Sequence, residues 1–246
     1  MDSGFYAACT ALIAQSQSLD VVANNLANTS TTGYRAQHSI FRSLLATAGG
    51  HPISNLNRAT NEYGILGGSR LDLSQGGLER TGNDLDFGIE GQGFFVVQTA
   101  GGRFFTRDGN FHVSNGQLVT SEGDPVMGDA GVIKVVDGPL SVSPDGTISV
   151  GGAVAGKLKV VDFKPGTDLQ SAGQTYYSAP KNADIADTES EIRQGTLESS
   201  NVNPVAGAVD LILVQRYAEL AQRALTMFDS QFNKTATEDL PRVSSS

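Results

Sequence analysis

Only one cysteine, Cys9, stands in 246 residues. No disulfide can form within the chain, and folding cannot depend on oxidation in any compartment. Cys9 falls in a helical pattern, where a small packed residue is expected rather than a nucleophile. Three histidines, His38, His51 and His112, are scattered outside any HExxH or CxxC context, so no metal site is expected. Basic residues are outnumbered 26 to 17, leaving a formal charge of -9, which excludes the cationic surface that a phosphate backbone requires. Acidity by itself names no partner. No apolar run approaches the roughly 20 residues of a membrane span. The N-terminal segment has neither a basic n-region nor a continuous apolar core, so no cleavable Sec signal is expected. The chain is then expected either to stay in the cytoplasm or to leave by a route that reads something else.

What is present fits a folded chain. Hydrophobic residues make up 39% and charged residues 17%, a balance that buries a core and argues against disorder. The 29 glycines favour many tight turns and hence a β-rich region.

The two ends read as helices. Phe5, Ala8, Leu12, Gln15, Leu19, Val22 and Leu26 follow steps of three and four, the seam of a coiled coil, with Gln15 its one polar member. Ser3 is placed to cap this helix, and Thr29-Ser30-Thr31-Thr32-Gly33 ends it in turn chemistry. Near the C-terminus, Asn203-Pro204 reads as an N-cap followed by proline at the first helical position. Leu211, Val214, Ala218, Ala221, Leu225, Phe228 and Phe232 then repeat the heptad steps, and a second stripe, Leu213, Tyr217, Leu220, Ala224 and Met227, runs beside them. Such a face is too wide for one partner helix. It fits burial against the chain's own β region, and contact with the N-terminal helix and helices of neighbouring subunits, equally well.

Between the helices, turn dipeptides recur. Asp108-Gly109 separates Arg103–Arg107 from Asn110–Val113, Asn115-Gly116 precedes Gln117–Thr120, and Pro144-Asp145-Gly146 separates Leu140–Val142 from Thr147–Val150. These spacings predict hairpins. Phe94–Val97, Val132–Val136 and Lys157–Phe163 are further expected strands. The fold class read from this pattern is α+β: long N- and C-terminal helices forming a coiled-coil pair, with an antiparallel all-β middle domain. The expected divisions are 1–34 for the first helix and its turn, 35–70 for a connecting segment, 71–195 for the β domain, 196–240 for the last helix and 241–246 for a frayed tail. Within the connector, Ile40, Phe41, Leu44 and Leu45 suit a short helix.

Chemistry-bearing patterns are lacking. Gly88-Ile89-Glu90-Gly91-Gln92-Gly93 is followed by the strand-like Phe94-Phe95-Val96-Val97, whereas a dinucleotide loop must open a helix. A turn between strands is expected there. No GxSxG elbow occurs. Asp84, Asp86 and Glu90 sit in turn-like context and read as exposed turn carboxylates, not as an acid–base pair. No catalytic, metal-binding or cofactor-binding residue is assigned, no cofactor is expected, and the chain is read as a non-enzyme.

Five collinear segments resemble a known family. Ala23-Asn24-Asn25-Leu26-Ala27-Asn28 with Thr32-Gly33-Tyr34-Arg35 is similar to the N-terminal signature of flagellar rod and hook proteins. Gly76–Asp86, Gly91–Val97 and Phe105–Phe111 resemble the opening of their β domain. Leu197-Glu198-Ser199-Ser200-Asn201-Val202-Asn203 resembles the segment leading into their C-terminal helix. The likeness spans nearly the whole chain and is nearest to the proximal rod type, Arg35–Gly68 lacking an obvious match to the distal rod protein's insertion. Such a resemblance implies a structural subunit of the basal-body rod, a hollow drive shaft passing torque to the hook. It also implies export by the flagellar type III apparatus without a cleaved signal, residence in the rod's periplasmic span, and partners among other rod subunits and copies of itself. No nucleic-acid or membrane-inserted partner is implied. The expected assembly and coiled-coil residues are Leu12, Leu19, Val22, Asn24, Asn25, Leu26, Asn28, Gly33, Tyr34, Leu211, Val214, Leu225 and Phe228. Helix-cap and turn roles for Asn24, Asn25 and Asn28, and backbone geometry for Gly33 and Gly109, are the plainer readings. Rival readings are a distal rod or hook-type subunit, a β-rich enzyme with a polar ligand pocket, and an adhesion module that buries both helices on its own β domain.

Overall fold

A computed structural model describes residues 2–42, 65–136, 138–164, 166–181, 183–186, 188 and 190–238. The chain divides into two compact units. One comprises the described parts of Met1–Asn24, His38–Ser69 and Val205–Ser246; the other comprises Asn25–Gln37 and Arg70–Pro204.

The helical unit is built on α1 (Asp2–Ala27) and α2 (Pro204–Glu238). In α1 the only charged residues are Asp2 and Asp20. A helix so poor in charge is suited to being covered on more than one side. The seam positions Leu12, Gln15, Leu19, Val22 and Leu26 are half-buried. Among the described side chains of α1, which exclude the seam residues Phe5 and Ala8, the deepest are the small residues Ala14 and Ser18, so over that stretch the covered face is displaced from the expected seam toward side chains that permit close approach. The helix begins at Asp2, before the expected Ser3 cap. In α2, proline opens the helix as expected, its missing N–H being one that would have no intrahelical partner anyway. The two stripes of α2 fare differently. Leu211, Val214, Ala218, Ala221 and Leu225 are half-buried, whereas Leu213, Tyr217, Leu220 and Met227 are 45–63% exposed.

The expected short helix at Ile40–Leu45 is not borne out where it can be seen. Ile40 and Phe41 lie in β1 (Gln37–Arg42), which pairs with β2 (Ile65–Leu71). Four apolar residues without a cap cannot nucleate a helix alone, and a β-branched and an aromatic residue suit a strand once a partner is supplied. That partner lies more than twenty residues away, invisible to local periodicity. Leu44 and Leu45, the side chains of Phe228 and Phe232, and the tail 241–246 lie outside the described residues.

The β unit carries β3 (Leu78–Arg80), β4 (Phe87–Glu90), β5 (Phe94–Thr99), β6 (Gly102–Thr106), β7 (Phe111–Ser114), β8 (Gln117–Thr120), β9 (Met127–Gly128) and β10 (Gly131–Val132). It continues with β11 (Leu140–Val142), β12 (Thr147–Val150), β13 (Ala153–Lys157), β14 (Val160–Phe163), β15 (Gln170–Ser171), β16 (Tyr176–Ser178), β17 (Ile185–Ala186), β18 (Glu191–Gln194) and β19 (Thr196–Glu198). The largest sheet runs β15-β16-β6-β5-β14-β17, and its pairings are antiparallel. Strand β5 lies at its centre. Because alternate side chains point to opposite faces, Phe95 and Val97 enter one core with Phe87, Phe111, Leu118, Ile148 and Ile192. Phe94 and Val96 enter another with Phe105, Phe163 and Tyr177. An unbroken apolar run is what a strand covered on both faces requires. Edge-on ring pairs, Phe95 with Phe111 at 5.2 Å and Phe105 with Phe163 at 4.8 Å, add to both cores.

Asn115-Gly116 is the expected two-residue hairpin: Ser114 faces Gln117, and Asn115 has φ 52°. Asp108-Gly109 is not a hairpin. Strand β6 pairs with β5 and β16, whereas β7 pairs with β8, so this dipeptide carries the chain from one sheet to another. Of Val132–Val136 only the first residue is in a strand, with Lys134 bridging to Gln117. Lys157–Phe163 breaks at Leu158 and Lys159 between β13 and β14.

Candidate functional site

Three of the singled-out segments, far apart in sequence, meet inside the β unit. Three charged side chains lie at the centre, each at most 2% exposed: Arg35, Arg107 and Glu198. Arg35 Nη2 is 2.7 Å from Glu198 Oε1, and Arg107 Nη1 is 2.9 Å from Oε2. The Gly76 amide donates to Oε1 at 2.8 Å, so the carboxylate takes three partners from three segments. Each arginine also donates to a carbonyl, Arg35 Nη1 to Ser74 and Arg107 Nη2 to Gly91, both at 2.8 Å. The Arg107 guanidinium lies 5.3 Å from the centroid of Phe94, a cation–π contact. Arg35 Nη2 meets the carboxylate as an ion pair without an aligned hydrogen bond, and Arg35 Nε and Arg107 Nε have no acceptor among the described residues.

Two cations share one anion away from water, which is costly unless the geometry holds. Burial lowers the Arg107 pKa to about 10, with Glu198 raising it and Arg35 lowering it, and the guanidinium remains charged at neutral pH. Removing one member would strand the others without solvent, a loss of about 3–5 kcal/mol.

Around this triad the backbone is laced. The Gly33 amide donates to the Glu198 carbonyl at 2.8 Å, and the Arg35 amide to the Tyr177 hydroxyl at 2.9 Å. Asn25 Oδ1 accepts from Tyr34 Oη and the Gln37 amide, while its Nδ2 donates to the Gln37 carbonyl. Asn201 Oδ1 accepts from the Ala36 amide, and its Nδ2 donates to the carbonyls of Asp72 and Ser74. The chain passes between the units after residues 24, 37, 69 and 204. Within the β unit, Asn25 is thus tied to Gln37, and Asn201 to Ala36 and Asp72, each of these residues lying within three residues of one of those crossings.

Gly33 has φ 68°, and a β-carbon on it would strike the backbone of Arg107 and Asp108. Both the handedness and the space exclude a side chain there. The neighbouring Thr32 hydroxyl donates to Asp108 Oδ1 at 2.9 Å. Burial pushes the Asp108 carboxyl up, opposed by hydrogen bonds from the Asn110 amide and Thr32 and reinforced by Asp86 and Glu122. A carboxyl whose folded pKa is raised binds its proton more tightly in the native state, so stability falls as pH rises from the ordinary carboxylate value through the raised one. Asp108→Asn keeps the acceptor for Thr32 and Asn110 and removes that loss. In urea titrations from pH 4 to 7, the variant is expected to gain on wild type as pH rises. Parallel curves for the two proteins would contradict the assignment.

Of the expected interface residues, the structure brings Asn25, Gly33 and Tyr34 into this junction. Asn28 is buried in the turn, Asn24 is exposed, and Leu12, Leu19, Val22, Leu26, Leu211, Val214 and Leu225 are half-buried on their helices. Arg35, Arg107, Glu198 and Asn201 stand within the family-like motifs, but local sequence assigns them no role. Charged residues inside otherwise turn-like motifs were the available signal. Asp86 corrects the reading of exposed carboxylates: it is buried, and Asn83 Nδ2 donates to it at 3.0 Å. Asp84 and Glu90 are exposed, the latter paired with Arg193. The glycine loop leads from β4 into β5, strand to strand. No His, Cys, Asp and Glu group suited to a metal occurs among the described residues. The triad itself has almost no solvent-facing surface on which to meet a substrate.

These features fit a structural protein: a unit of terminal helices with apolar surface left uncovered, and an antiparallel β unit that holds a buried ionic cluster. Family models agree along the chain. Residues 5–35 match the flagella basal body rod protein model, 88–150 the D1 domain of the flagellar hook protein FlgE/F/G, and 193–238 the C-terminal model of the flagellar basal body rod FlgEFG proteins. The flagellar basal-body rod protein FlgF of Caulobacter vibrioides is 32% identical over 99% of this chain and 100% of its own length. FlgF of Salmonella typhimurium is 33% identical over 93% and 95%, and FlgG of Buchnera aphidicola subsp. Baizongia pistaciae 32% over 95% and 98%. The chain belongs to the flagellar basal-body rod proteins, with the proximal-rod FlgF type favoured, and is a structural subunit of the flagellar basal body that assembles with other rod components.

Proposed function

We propose that the subunit acts as a load-bearing element of a hollow drive shaft, its terminal helices paired with each other and with those of adjoining subunits. In this reading Leu12, Leu19, Val22 and Leu26 pack toward Leu211, Val214 and Leu225, with 1–34 and 196–240 supplying the helical layer and 71–195 the β region. The observation that carries this reading is the uncovered stripe Leu213, Tyr217, Leu220 and Met227, beside an α1 that holds only two charges. An adhesion module that covered both helices with its own β region would leave no such stripe. Dense side-chain packing between helices resists twisting because packed interiors compress little.

Export unfolded through the type III apparatus, without cleavage, fits a chain that needs no disulfide. In this reading no described residue is assigned to catalysis or to nucleic-acid binding. Amide exchange tests the assembly role. In the free chain both helices should exchange far faster than β5 and β6, and they should gain strong protection in assembled rods. Protection of both helices in free monomer equal to that of β5 would overturn it.

A further inference from the structure

Glu198 occupies an unusual position in chain order. Its partners Arg35, Gly76 and Arg107 all precede it, Arg35 by 163 residues and Arg107 by 91. Its own carbonyl receives the Gly33 amide. Strand β19, which carries it, pairs with β3, and β18 pairs with β4, so the last strands of the unit close against its first. By contrast, the β5–β6, β7–β8 and β11–β12 hairpins are local. We infer that Glu198 is a completion latch: the β unit forms its local hairpins first, and the junction around Arg35 and Arg107 closes only when the segment bearing Glu198 arrives.

Two physical costs enforce that order. Joining Arg35 to Glu198 closes a long loop, whose entropy must be lost before the contact rewards it. Burying either arginine without the carboxylate would strand a charge out of water, so desolvation and pairing must coincide. The hydrogen bonds of Asn201 to Ala36, Asp72 and Ser74 complete in the same step, because Asn201 lies three residues beyond the latch. A chain emerging N-terminus first therefore holds this junction open until about 200 residues are free. This biological use rests on the proposed export in an unfolded state: a β unit that cannot close early stays threadable. The latch itself is a property of folding and is tested apart from export.

The test uses the full-length chain and two kinetic measurements. In refolding with pulsed hydrogen exchange, amides of β5 and β6 should become protected before those of Gly33, Gly76 and β19. Glu198→Gln, which keeps shape and removes charge, should leave the refolding rate of the β5–β6 core within about twofold and accelerate unfolding of the β unit about 100-fold or more. Where Glu198→Gln is too unstable to refold, Glu198→Asp, which keeps the charge but shortens its reach, gives the same comparison at smaller amplitude. Simultaneous protection of Gly33 and β5, or refolding slowed as much as stability is lost, would overturn the latch. Either result leaves the export proposal untouched, since that stands on whether the wild-type chain passes the export apparatus.

Discussion

Leu19→Asp in α1, and separately Val214→Asp in α2, should abolish rod formation and motility while leaving the β unit folded. Both positions are half-buried in the helical unit. A carboxylate there without a partner costs several kcal/mol. Because each subunit in a helical polymer repeats its contacts with every neighbour, a loss of about 3 kcal/mol per contact lowers association more than 100-fold at each one. The β unit is a separate compact body with its own cores, so its circular dichroism and its denaturation midpoint should stay near wild type. Purified variant subunits, basal-body micrographs and swimming assays give the readout. Normal rods from either variant would refute the seam assignment, and loss of the β unit's transition would show that the effect is misfolding.

Gly109→Ala should destabilise the β unit by about 3 kcal/mol or more, a drop of roughly 10 °C in its melting temperature. Gly109 is buried, and a β-carbon built on it would overlap the carbonyl oxygen of Phe87. The close approach is held from both sides. The Phe87 amide donates to the Gly109 carbonyl at 3.0 Å, and the Phe87 ring packs on Phe111 in the larger core. Neither backbone can retreat without breaking that packing, so the added methyl must distort the chain. A neighbouring control, Asn110→Ala, alters an exposed side chain and should shift the melting temperature by only a degree or two. Equal stability of Gly109→Ala and wild type would mean that the approach of the two segments is looser than the structure shows.

The ends of the chain were the most legible part. Helix α2 begins at the proline that the Asn203-Pro204 signal indicates, and α1 ends before the Thr/Ser/Gly turn. Heptad spacing and cap chemistry are local, so a helix announces itself without its partners. The Asn115-Gly116 hairpin was equally plain, since its turn demands those residues. Asp108-Gly109 carries the same dipeptide signal, yet its flanking strands join different sheets. A turn signal states that the chain bends, not which strands pair afterwards. Ile40 and Phe41 failed for the related reason that the partner of β1 lies across the connector.

The candidate site was legible only as motifs. Arg35, Arg107 and Glu198 each sit in a segment that stood out, but nothing local predicts that three charges from three segments will share one buried point. Alternation and heptad steps record which side of an element avoids water, and the chain alone therefore determined its helical ends and its β-rich middle. Tertiary structure decided the strand pairing, the shift of the covered face of α1 toward Ala14 and Ser18, and the ionic junction. Those depend on burial and on contacts between distant residues, whose energies exist only once the chain has brought them together.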